Sequence, residues 1–206
     1  DTLCDWAKGS LYLNNNSVFL LDNIIRKRLH TDTSMNKYDF ILVSNIKPIK
    51  NNLFAINLCK HLNKSLLLVG KNQNNSYYSD VVRNLEMLKN GYINTTVSEA
   101  QLVIPSGKIG LHTSKSETGP LVLIEFLAQG VPFLAFETGE VAKILKPYFP
   151  EFFIDNFEIE CWLERIDLIT KKGIDKLKMD FVFNKYFSEK NYYEKLMNIY
   201  LCVLKN

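Results

Sequence analysis

The chain has no apolar run near the ~20 residues that a membrane-spanning helix needs, and no secretory leader pattern. Its four cysteines, Cys4, Cys59, Cys161 and Cys202, are far apart and form no C-x-x-C pair. That excludes a disulfide framework and a zinc finger, and predicts buried thiols in a reducing compartment. His30, His61 and His112 stand without acidic or cysteine partners at ligand spacing, so no metal site is expected. Charge of one sign is also lacking. With 25 Lys and Arg against 22 Asp and Glu, the net charge of +3 is too small and too dispersed for a nucleic-acid binder. The densest basic stretch, Lys171-Lys172 to Lys178, has Asp175 inside it and reads as a solvated face. No G-x-G-x-x-G follows the first regular strand, where "SNIKPIKN" stands instead, so a nicotinamide-dependent dehydrogenase is disfavoured.

What is present is ample apolar material. Of 206 residues, 47% are hydrophobic, enough to bury the core of one domain with additions. From residue 38 the pattern is regular. Short apolar runs "YDFILVSN", "SLLLVG", "GYINTTV", "KIGLHTS" and "VPFLAFE" alternate with helical spacing in "NLFAINLCKHLNK", "SYYSDVVRNLEMLKN" and "PLVLIEFLAQG". A further short helix is expected from Ser98 to about Ile104. Strands apolar on both faces, separated by helices, predict an α/β fold with a doubly wound, Rossmann-like parallel sheet. Before it, residues 1–37 suggest a short helix at Thr2–Lys8 and an apolar strand within "NNNSVFLLDN". Beyond residue 158 the chain turns helical, ending in one long amphipathic segment from Asn184 to about Lys205. Asp1 in place of Met leads to the expectation that the chain is part of something larger.

In such sheets ligands bind beyond the C-terminal ends of the strands. Those loops contain Lys50, after the first strand, and Glu117, in "HTSKSETGPLVLIEFLAQGVPF". Gly119-Pro120 marks a helix start, with Pro120 expected at the first helical position. The free amides of Leu121, Val122 and Leu123 then form an anion site. A second carboxylate, Glu125, lies among apolar residues on that helix; read from spacing alone, Glu125 and Gln129 are a polar stripe. His112 at the strand end reads as a packed neighbour. Tyr77-Tyr78 and Tyr192-Tyr193 read as helix packing.

The order of "SNIKPIKN", "LLLVG", "SKSETGPLVLIEFLAQGVPF" and "ETGEV" resembles the donor-binding, C-terminal half of retaining GT-B glycosyltransferases. The likeness is to the glycosyltransferase family 4 type, the group 1 glycosyl transferases, and it extends over about residues 38–205. That family has two Glu separated by seven residues, which Glu117 and Glu125 match. The resemblance implies residues 1–37 as the end of an N-terminal domain and linker and 38–160 as the nucleotide-sugar-binding unit. Residues 161–206 would be helices packing back toward the other domain. It implies Glu125 at the ribose hydroxyls, Glu117 as the catalytic group at the sugar, Lys50 at the diphosphate and Val97 beside the base. Asn45, Thr118, Gly119, Pro120, Leu121 and Val122 complete the donor site. The family has Gly-Arg where this chain has Ser44-Asn45, which removes one diphosphate cation and makes Lys47 the candidate substitute. It also favours Gly-aromatic-Gly where Thr118-Gly119-Pro120 stands.

The implied activity is sugar transfer with retention, from a nucleotide sugar to a glycan or lipid-linked acceptor, with no metal or other cofactor. The acceptor would be held by an absent N-terminal domain, so the fragment alone would be inactive. The implied location is cytoplasmic, with peripheral attachment at the inner membrane face as an option. The alternative is a non-catalytic module that binds nucleotides or sugar phosphates.

Overall fold

A computed structural model describes residues 21, 23–27, 36–88, 90–96 and 100–204. Six strands form one parallel sheet: β1 (Tyr38–Val43), β2 (Leu66–Val69), β3 (Gly91–Asn94), β4 (Gly107–His112), β5 (Phe133–Phe136) and β6 (Phe153–Ile154). The strand order is β3-β2-β1-β4-β5-β6, as in doubly wound nucleotide-binding folds, and it reverses direction between β1 and β4. Leu42, Leu68, Leu111 and Leu134, on the four central strands, are all buried, as expected of a sheet covered on both faces.

The helices are α1 (Asn52–Leu62), α2 (Asn75–Glu86), α3 (Leu121–Gln129), α4 (Gly139–Leu145), α5 (Ile159–Lys172), α6 (Lys176–Tyr186) and α7 (Glu189–Leu204). α1 packs with α2 and α5, whereas α3 packs with α4 and α6, giving two helical layers. Helix α3 ends on Gly130 at φ 62°, where the amides of Gly130 and Val131 close onto Leu127 and Phe126. Glycine takes that left-handed turn with no Cβ penalty, and the chain drops directly into β5.

Several expectations need correction. The segment from Ser98 to Ile104 is not a regular helix: its described part forms 3-10 turns at Ala100–Leu102 and Ile104–Ser106. Pro105 lacks an amide and disfavours α geometry at the residue before it. Helix α4 and the two-residue strand β6 follow β5, where no element was expected. The long terminal helix is two helices, broken at Phe187, which is fully buried. Ser188 then restarts the chain, its Oγ accepting from the Asn191 amide at 3.3 Å, the geometry of an N-cap. Of the thiols, Cys59 is buried, Cys161 half-buried and Cys202 exposed. The helix expected at Thr2–Lys8, and Cys4 and His30, lie outside the described residues.

Gly70, directly after β2, determines how two site loops meet. A Cβ there would lie 1.8 Å from the Ser44 carbonyl oxygen and 2.6 Å from its carbon. The β1 and β2 loops therefore touch backbone to backbone. Gly70→Ala should destabilise the fold by about 1–3 kcal/mol through forced displacement of that backbone. A denaturation midpoint equal to wild type would refute the contact.

Candidate functional site at the sheet's switch point

The crevice between β1 and β4 opens at the C-terminal edge of the sheet, at the point where strand order reverses. Ser44 continues β1, its amide donating to the Val69 carbonyl at 2.9 Å. Its hydroxyl accepts from Nδ2 of the fully buried Asn52 at 2.8 Å. Ile46, also fully buried, pins the loop, and a 3-10 turn at Pro48–Lys50 brings the chain around to α1. Asn51 takes a left-handed conformation at that junction, which asparagine tolerates better than most residues. Two hydrogen bonds tie this loop to the one after β4: Thr113 Oγ1 donates to the Lys50 carbonyl at 3.0 Å, and the Lys115 amide to the Ile49 carbonyl at 2.9 Å.

Glu117 is fixed from the other side. Its amide donates to Thr138 Oγ1 at 3.1 Å, and the Glu140 amide donates to the Thr118 carbonyl at 2.8 Å. Gly139, at φ 81°, presses on this loop; a Cβ there would meet Pro120 at 2.8 Å and the Thr118 carbonyl at 2.9 Å. The Glu117 carboxylate forms an ion pair with the Lys50 ammonium. His112 Nε2 lies 3.5 Å from the same carboxylate oxygen, and His112 is only 2% exposed. Burial alone pushes the Glu117 carboxyl up, but His112, Lys50 and Ser114 outweigh it and hold it at about 2. Glu117 is therefore an anion throughout the neutral range. Its contribution to stability is in force above the ordinary carboxylate range and fades as pH falls toward 2.

Helix α3 begins one residue later than expected, with Pro120 at the N-cap rather than at the first helical position. The Leu123 amide turns back onto the Pro120 carbonyl at 3.2 Å. The amides left at the free end are thus those of Leu121 and Val122, and Leu123 is not one of them. These two residues, Gly119 and Pro120 line a cavity of about 650 Å³ together with Asn45, Lys50 and Glu117. That size falls within the usual range for ligand pockets, ~300–1,000 Å³. Thr118 is exposed and does not line it. Neither does Lys47; the lysine that joins Lys50 on the wall is Lys71, from the loop after β2. The sequence offered one signal for Lys71: it directly follows the glycine that ends a buried strand. Val97 lies outside the described residues.

Glu125 stands one turn beyond Leu121 and Val122 on α3. It is half-buried and makes no hydrogen bond or ion pair with a described residue, and burial pushes its carboxyl up to about 7. Gln129, one turn further along, donates to Gln101 Oε1 at 3.1 Å. The two polar residues of that stripe are therefore in different situations, one tied to protein and one not. Tyr77 packs against α1, with its hydroxyl accepting from the Leu53 amide at 3.2 Å. A second, apolar cavity of about 350 Å³ lies at the opposite edge of the sheet, between Phe40, Ile109, Ile166 and Ile169. No group of three or more His, Cys, Asp or Glu side chains among the described residues could hold a metal ion. No described helix is long and apolar enough to cross a membrane.

The group 1 glycosyl transferase family matches residues 24–186. No curated protein sequence gives a significant match. Among solved structures, the chain is similar to the lipopolysaccharide outer core galactosyltransferase WaaB, with a TM-score of 0.72 and 14% identity over 94% of this chain and 58% of that one. It is also similar to a point mutant of TarM of S. aureus in complex with fondaparinux, α-GlcNAc-glycerol and UDP: TM-score 0.69, 14% identity, 97% of this chain and 42% of that one. HepE of Anabaena, in complex with UDP and glucose, gives a TM-score of 0.65 and 14% identity over 79% of this chain and 48% of that one. The chain thus spans roughly half the length of these structures.

Proposed function

Since the chain belongs to the group 1 glycosyl transferases, we propose that it is the donor-binding half of a retaining GT-B enzyme that takes a nucleoside-diphosphate sugar. One observation carries this reading. Glu117, half-buried and ionised, stands beside Lys50 at the free end of α3, in the crevice where β1 and β4 part. The diphosphate would lie against the Leu121 and Val122 amides, near Gly119, Pro120 and Asn45. There the helix dipole contributes about half a positive charge. Glu117 would face the sugar and Glu125 the ribose hydroxyls. UDP bound in TarM and in HepE supports a nucleotide of this class.

In transfer, the anomeric carbon gains positive character as the diphosphate departs with the bonding pair. An ionised, fixed carboxylate at the sugar and aligned amides at the leaving group suit both changes without reorganisation. The acceptor, a glycan or lipid-linked sugar, would be held by an N-terminal domain. Helix α7 fits a partner of that kind. None of its residues is buried, and Tyr193, Met197, Tyr200 and Leu204 form an exposed apolar stripe at helical spacing.

The protein should bind a nucleoside diphosphate from a panel of UDP, GDP, ADP and TDP, and EDTA should leave that binding unchanged. The chain by itself should not transfer sugar. Binding that disappears with EDTA and returns with magnesium or manganese would overturn metal independence. Robust transfer by this chain alone would overturn the division of labour between two halves. Binding of every nucleotide with no transfer, once the second domain is joined, would point to the non-catalytic module instead.

A further inference from the structure

The apolar cavity of about 350 Å³ lies at the N-terminal ends of β1 and β4, the edge of the sheet opposite the crevice. Phe40 and Ile109, partners across those two strands, form one side of it, and Ile166 and Ile169 of α5 the other. All four stand on regular elements, so the shape of the cavity is set by the fold and not by a loop. Its rim carries Asp39, Lys64 and Lys108. Asp39 is the one carboxylate among the described residues that line it, and its oxygens are already engaged. Ser65 donates to Oδ2 from its amide at 3.1 Å and its hydroxyl at 2.9 Å, and Lys108 Nζ donates to Oδ1 at 2.9 Å. Lys64 Nζ, 3.9 Å from Oδ1, is beyond hydrogen-bonding distance. Two cations against one anion leave the rim with a net positive charge. Helices α1 and α5 also end at this edge, and a helix C-terminus carries about half a negative charge. Lys60 and His61 in the last turn of α1, and Lys171 and Lys172 in that of α5, answer it.

Apolar walls with a free cation at the mouth suit a ligand divided in the same way, an apolar body and an anionic end. At roughly 30 Å³ for a group the size of a water molecule, the cavity has room for one chain of about ten carbons. The two tails of a phospholipid exceed it. On the reading above the acceptor half meets the C-terminal edge of the sheet, so it does not cover this cavity.

We propose that the cavity binds a single-chain carboxylate amphiphile, a fatty acid of medium length, with its chain between β1, β4 and α5 and its carboxylate at Lys64. The site is separate from the donor crevice, and its test does not depend on nucleotide binding.

The test is calorimetric titration of the chain with sodium hexanoate, octanoate and decanoate, each below its aggregation concentration. Decyltrimethylammonium serves as a ligand of the same chain length and opposite charge. Wild type should bind one molecule, and each added methylene should tighten binding about fourfold. The ammonium compound should bind about tenfold more weakly than decanoate, or worse. Lys64→Met should weaken decanoate about fivefold; Asp39 keeps Lys108 and Ser65, so no charge is stranded. Ile174 is a wall residue with 41% exposure, so it can be enlarged without crowding the core. Ile174→Trp should fill the cavity and weaken decanoate about tenfold or more. Several molecules bound per chain, affinity indifferent to chain length, or an Ile174→Trp variant that binds as wild type does would overturn the site. Equal affinity for decyltrimethylammonium and decanoate would overturn the carboxylate. Sedimentation with phosphatidylglycerol vesicles that Ile174→Trp abolishes, with no decanoate bound, would make this face a membrane contact and overturn the proposal.

Discussion

Glu117→Gln, in the enzyme with both its halves, should lower turnover about a hundredfold or more with donor affinity no weaker than wild type. The substitution keeps the shape of the side chain and removes its charge. In the ground state the sugar is neutral, and a Gln amide can still hydrogen-bond its hydroxyls. In the transition state positive charge develops at the anomeric carbon, and only the carboxylate answers it. An interaction of that kind appears in kcat and not in binding. The neighbourhood makes the expectation sharper. Lys50 is bonded to Glu117, so neutralising the carboxylate releases an ammonium into the same cavity. Nucleoside diphosphate affinity should hold or improve. Steady-state kinetics beside calorimetry on the same variant decide it: parallel losses in kcat and in diphosphate affinity would mean that Glu117 binds substrate without favouring the transition state.

The parallel sheet was legible because its central strands, such as "FILV" and "LLLV", are apolar on both faces and bounded by turn residues. The placement of Lys50 and Glu117 on one rim followed from the rule that ligands sit beyond strand C-termini. Their direct pairing did not, because it depends on two cross-loop hydrogen bonds, from Thr113 and Lys115, that bridge more than sixty residues. Lys71 was missed for a related reason. Its position depends on the close approach of Gly70 to Ser44, and one glycine after a strand does not say which backbone it approaches. The break at Phe187 was hidden by an amphipathic pattern that runs through it. Burial of one aromatic side chain and a serine cap outweigh periodicity there. Strand β6 is only two residues long, too short for any alternation to register.

Glu125→Ala should weaken binding of the nucleoside diphosphate and of the intact donor alike, by about tenfold to a hundredfold. The carboxylate would accept hydrogen bonds from ribose hydroxyls that both ligands share, and such bonds are present in ground and transition states equally. The surroundings add a pH signature that an exposed polar stripe would lack. Burial on α3 raises the Glu125 carboxyl to about 7. Between the ordinary carboxylate range and that value, the folded chain keeps a proton that the unfolded chain has lost. Stability should therefore fall as pH rises through this window, and Glu125→Gln should remove that slope. Ribose hydroxyls donate to the ionised form, so binding must expel the proton wherever Glu125 still holds it. Affinity should accordingly rise with pH up to about 7 and then level. Titrations near neutrality in buffers of different ionisation enthalpy should report a proton released to solvent. An affinity independent of pH in wild type, or a Glu125→Ala variant that binds as wild type does, would return this carboxylate to the solvated stripe and remove the ribose from it.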